Sequence, residues 1–138
     1  MFSKDGKYIY AVNELVPSIG VFAYQNGKAE LIHTIDIKCE NEKANGAAIR
    51  LSKDGKYLYV SLREENVICA FAVDGEKLTL LQTVDCGGDS PRDFNLVGDC
   101  MIISNEKSKN VVVYNILNGL IGNKHSEYIM NNALCVIK

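Results

Sequence analysis

The sequence predicts an all-β fold: about three four-stranded antiparallel blades of a β-propeller, forming a partial ring. Two observations predict it. One phrase occurs twice, at residues 2–14 (FSKDGKYIYAVNE) and 51–64 (LSKDGKYLYVSLRE), forty-nine positions apart. A worn third copy at 98–106 (GDCMIISNE) has its turn glycine forty-three positions after that of the second copy, near the blade repeat of about 40–45 residues seen in propellers. The turn signals also recur in one order, between short runs of β-branched and aromatic residues.

Asp5-Gly6, Asp54-Gly55 and Gly98-Asp99 open the copies, and a strand follows each, at 8–12, 57–61 and 101–104. After a polar loop comes a second strand, at 19–24, 67–73 and 111–116, closed by Asn26-Gly27, Asp74-Gly75 or Asn118-Gly119. Asn-Gly and Asp-Gly accept the positive φ angles of primed hairpin turns, so each copy reads as a meander. Residues 31–35 and 78–84 supply outer strands, while 47–51 and 93–96 open the next copy. Repeated helices are excluded, because these runs are too short between glycine turns to bury a helical face.

Blades are expected at about 1–44, 45–89 and 90–130, one partial propeller over 1–138, with 131–138 opening a closing blade. Propellers close with about four to eight blades, so three do not complete a ring. The first copy begins inside what reads as an opening strand, which predicts the C-terminal part of a longer propeller. The open blade faces predict self-association.

Bulk composition excludes several classes. A net charge of −2, with Lys and Arg scattered through turns, gives no basic stripe for nucleic acid. The start is polar and no apolar run reaches membrane-spanning length. Neither membrane contact nor a signal peptide is expected, although a leader lost from a fragment would be invisible, and a cytoplasmic location is expected. Five cysteines at wide spacing predict buried fillers rather than zinc or disulfide sites. Without Trp, the tryptophan-aspartate signature of WD40 propellers is missing.

Glu14, Arg63 and Glu106 each lie eight residues past the first turn glycine of their copy, a position that changes sign around one axis. They read either as a substrate-polarising set at the channel mouth or as exposed strand-end charges. His33, on an outer strand, and His125, in a loosely patterned segment, are not expected to be catalytic.

The segments at 2–15, 47–64, 87–96 (GGDSPRDFNL), 104–114 (SNEKSKNVVVY) and 133–138 (ALCVIK) resemble, in order and spacing, the last three blades of the lactonase family of seven-bladed propellers. That family includes 6-phosphogluconolactonases and carboxymuconate-cyclising enzymes. The resemblance implies a hydrolase of sugar metabolism that opens a phosphorylated or carboxylated lactone, needs no cofactor or metal, and is inactive as this fragment alone. It implies Glu14 and Arg63 as catalytic residues, and Arg92 as a substrate-anion ligand whose bland role is an ion pair with Asp93 or a loop. Asn13, Arg50 and Glu106 are implied as further substrate-binding residues. Arg50 stands where family members often carry histidine, and Ala48 where they often carry glutamate. Alternatives are a non-catalytic propeller piece for protein or ligand binding, and a carboxymuconate-type lactonising enzyme.

Overall fold

The structure, a computed structural model, describes residues 1–137. Among these residues the chain forms three antiparallel sheets, each a meander. The first holds β1 (Tyr8–Asn13), β2 (Ser18–Gln25) and β3 (Lys28–Asp36). The second holds β4 (Asn45–Leu51), β5 (Tyr57–Arg63), β6 (Val67–Asp74) and β7 (Lys77–Asp85). The third holds β8 (Pro91–Val97), β9 (Cys100–Asn105), β10 (Asn110–Leu117) and β11 (Leu120–Ile129). This is a partial β-propeller.

The repeated Ser-Lys-Asp-Gly-Lys-Tyr segment is a self-contained turn. Ser3 Oγ donates to Asp5 Oδ1 at 2.7 Å and accepts from the Tyr8 N–H at 2.9 Å, while Lys7 N–H donates to Asp5 Oδ1. Ser52, Asp54, Lys56 and Tyr57 repeat the same bonds. The serine hydroxyl and then the backbone amide hold each aspartate below the usual carboxylate range. Because every partner lies within five residues, sequence alone carries this turn.

Four expectations need correction. The first sheet has three strands, since ahead of Ser3 the chain has only Met1 and Phe2, and they pair as a single bridge, Phe2 with Ile9. The second hairpin turn is centred on Gly75-Glu76, with positive φ at Gly75 alone, whereas Asn26-Gly27 and Asn118-Gly119 have positive φ at both central residues. His125 lies on strand β11, which its pairing with β10 holds although most of its side chains are exposed. Residues 133–137 form no strand, because no strand among the described residues lies beside them to complete a ladder. Side chains hold them instead: Ser104 Oγ donates to Ala133 O, Asn95 Nδ2 donates to Val136 O, and Val136 N–H donates to Asp93 Oδ2. Lys138, the last residue of that expected strand, lies outside the described residues.

Alternation along β5 explains how the sheets stack. Leu58, Val60 and Leu62 point into one apolar core with Tyr10, Ile19 and Val21 of the first sheet. Tyr59, the intervening residue, enters another with Phe94, Met101, Ile103 and Val112 of the third. Successive side chains of a strand face opposite ways, so a sheet flanked on both faces buries nearly every residue of its middle strands.

Two tyrosines staple the sheets together. Tyr10 Oη donates to Gly75 O at 2.6 Å and Tyr59 Oη to Gly119 O at 3.0 Å, each reaching the outer hairpin turn of the next sheet. The third copy carries Ile102 at this register position. Burial pushes both phenols up to about 12, above an unfolded value near 10. For a group whose folded pKa is raised, stability is complete below the unfolded pKa and is lost as pH climbs through the folded one. Unfolding midpoints should therefore fall between about pH 10 and 12, and Tyr10→Phe/Tyr59→Phe should flatten that fall while costing about 1 kcal/mol per lost bond at neutral pH. Urea titrations at stepped pH check this, and an unchanged slope in the double variant would refute it.

All five cysteines are free. Burial pushes Cys69 up to about 11 and Cys86 to about 12, keeping both thiols protonated at neutral pH. These two behave as the expected fillers; Cys39 and Cys100 are half-buried and Cys135 is exposed.

Candidate functional site

Strands β4 and β8, the first of their sheets, pack side by side. Gly46 sets the junction with the first sheet. A Cβ there would lie 2.4 Å from Asn13 O and from Val12 Cγ2, while the glycine N–H donates to Glu14 O at 3.0 Å. Only a residue without a side chain admits this approach of backbone to backbone.

At this junction Val12, Glu14, Gly46, Ala47, Arg63 and Arg92 line a cavity of about 290 Å³. The three charged residues come from the ends of β1 and β5 and from the start of β8, where Pro91 fixes the chain. Glu14 and Arg63, equivalent in the repeat, touch across the first and second sheets, with Arg63 Nη2 2.6 Å from Glu14 Oε1. The guanidinium is largely buried and the carboxylate two-thirds exposed. Arg63 Nε is buried without a partner, so part of the guanidinium's donor capacity is unspent. Arg92 is half exposed and only loosely paired, its Nη1 3.6 Å from Glu106 Oε2.

Beside the cavity, the β5–β6 loop is held by several polar contacts. Glu64 adopts a φ of 65° and pairs with Lys107 of the third sheet; this contact lowers the carboxyl and raises the amine. The Glu65 carboxylate accepts the N–H groups of Glu40 and Asn41, clamping the β3–β4 connection against the loop.

Of the residues singled out from sequence, Glu14, Arg63 and Arg92 share the cavity, and Glu106 stands beside Arg92. Asn13 contributes its backbone to the junction, while its side chain donates to Ser18 Oγ. Arg50 is not with them. It lies further along β4, with Nη2 2.6 Å from Asp93 Oδ1 and its guanidinium carbon 5.8 Å from the centre of the Phe94 ring. Asp93 is therefore the partner of Arg50 and not of Arg92. Sequence reading missed Val12, Gly46 and Ala47; the glycine opening a strand is the one signal that pointed to a close approach. His33 Nε2 sits 3.1 Å from Glu76 O, tying the first sheet's outer strand to the second sheet. Among the described residues, no group of three or more His, Cys, Asp or Glu is placed to hold a metal ion.

Sheets stacked in this way, with charged residues gathered where three of them meet, make up part of a β-propeller. The family model described as lactonase, 7-bladed beta-propeller, matches residues 1–138, and the chain belongs to that family. Solved structures agree. The periplasmic gluconolactonase PpgL of Pseudomonas aeruginosa is 28% identical with a TM-score of 0.88, the match covering 95% of this chain and 39% of that one. A Lactobacillus plantarum protein is 30% identical with a TM-score of 0.91, covering 98% and 42%. A Bacteroides fragilis protein provisionally assigned as a 6-phosphogluconolactonase is 26% identical with a TM-score of 0.89, covering 98% and 39%. The chain thus spans about two fifths of the length of these structures. No curated protein matches it significantly.

Proposed function

We propose that these three sheets supply part of the active site of a lactone hydrolase of sugar metabolism, with 6-phosphogluconolactone as its substrate. The observation that carries the reading is the convergence of Glu14, Arg63 and Arg92, far apart in sequence, on one cavity. In this scheme the Glu14 carboxylate takes a proton from water as its oxygen attacks the lactone carbonyl carbon. The Arg63 guanidinium stabilises the resulting oxyanion with donors that Glu14 leaves unused. The ring C–O bond then breaks, and the proton passes to the departing alkoxide. Arg92 binds the substrate's phosphate through a planar two-point contact.

The natural polypeptide that carries this chain is the material for the test. It should hydrolyse 6-phosphogluconolactone, and Arg92→Ala should raise KM for that substrate about tenfold while leaving hydrolysis of the unphosphorylated lactone unchanged. Equal losses on both lactones would remove the anion role from Arg92, and no hydrolysis by the parent protein would remove the enzyme reading. A non-catalytic binding role is the second reading, favoured by Ala48 and by the pairing of Arg50 with Asp93. It predicts lactone or aldonate binding without turnover.

A further inference from the structure

A second cavity, of about 560 Å³, lies at the other end of the same two strands. Ala47 and Arg92 line the first cavity, whereas Arg50 and Leu96 line the second. The step of three positions along β4 from Ala47 to Arg50 separates the two linings by about 10 Å at the rise of a strand. They share no lining residue.

The chemistry of the second cavity differs from that of the first. Leu51, Leu96, Ile116 and the ring of Tyr59 give it apolar walls. The Tyr59 ring is fixed, since its hydroxyl is spent on Gly119 O. Arg50 and Lys53 add two side-chain cations, Met1, whose terminal ammonium donates to Tyr10 O, also lines the space, and the lining residues include no carboxylate. Arg50 already bonds Ile49 O through Nη1 and Asp93 through Nη2, which orients the guanidinium while leaving part of its donor set free. Lys53 has no ion-pair partner among the described residues. A concave space in the size range of small-molecule sites, with apolar walls and a few convergent polar groups, is what a ligand pocket requires.

We propose that this cavity binds a small amphipathic carboxylate, an anion carried on an apolar ring. The rigid tyrosine and the three aliphatic side chains take the ring, while Arg50 and Lys53 take the carboxylate. An inorganic anion would forgo the apolar walls, and a neutral ring would forgo the cations. The inference is independent of lactone hydrolysis, because it uses none of the residues assigned to that reaction.

Backbone amide NMR of the chain tests it with three probes: benzoate, its neutral isostere benzamide, and inorganic phosphate. Benzoate should shift the amides of Ser52, Lys53, Tyr59, Leu96 and Ile116 saturably, and the other two probes should bind at least about tenfold more weakly. Lys53→Gln should weaken benzoate binding several-fold without moving the unfolding midpoint. Arg50→Gln combined with Asp93→Asn, which leaves no carboxylate unpaired, should do the same. Comparable binding of benzamide or phosphate overturns the proposal. So do shifts centred on Gly46, Ala47 and Arg92, or the absence of saturable binding.

Discussion

Gly119→Ala should destabilise the chain by about 2–5 kcal/mol, whereas Gly27→Ala, at the matching turn position of the first sheet, should cost only about 1–2 kcal/mol. Both glycines sit at positive φ, 79° and 76°, so both alanines meet the same backbone penalty. The surroundings differ. A Cβ on Gly119 would lie 2.3 Å from the Tyr57 ring, whereas one on Gly27 meets nothing within 4 Å. Tyr57 cannot withdraw cheaply, because its strand also carries Tyr59, whose hydroxyl is bonded to Gly119 O. The difference between the two variants in urea unfolding therefore reads the packing of one sheet's outer turn on its neighbour. Equal costs would mean that the second and third sheets are not joined there.

Arg63→Ala should lower kcat for lactone hydrolysis by about 10²–10³-fold in the natural polypeptide, the usual loss when one oxyanion donor is removed. The mechanism asks more of Arg63 in the transition state than in the ground state, so kcat should fall more than KM rises. Structural damage should be modest, because the partner left behind, Glu14, is two-thirds exposed and water replaces the lost guanidinium. Arg63→Lys keeps the charge but not the planar fork and should recover only part of the rate. A variant with parental kcat and a lowered unfolding midpoint would show that Arg63 serves only to join the sheets.

What sequence revealed and what it hid divide along the range of the interactions. The Ser-Lys-Asp-Gly-Lys-Tyr turn and the strands after it were legible because their bonds close within a few residues and their apolar residues alternate. The outer strand β11 was not. Gly122, Asn123, Lys124, His125, Ser126 and Glu127 have no strand-like pattern, and pairing with β10 alone makes them a strand. The gathering of Glu14 and Arg63 was foreseeable because a repeat maps equivalent positions around one axis, although their direct contact was not. Arg50 was grouped with the site on family likeness, yet its place is set by Asp93, forty-three positions away on a different sheet. Repeat arithmetic aligns strands; it does not choose which charges on neighbouring strands meet. Gly46 reveals its function only when Asn13 O is seen against it.

In the proposed mechanism two repeat copies, one from each of two neighbouring sheets, place Glu14 and Arg63 in one reacting unit. A double-mutant cycle on kcat/KM, using Glu14→Gln, Arg63→Ala and the combination, measures this most directly. Residues that act as one unit lose most of the activity at the first substitution, so the double variant should be little slower than the worse single variant. Losses that simply multiply, or single variants that match the parent, would contradict a shared site at this junction.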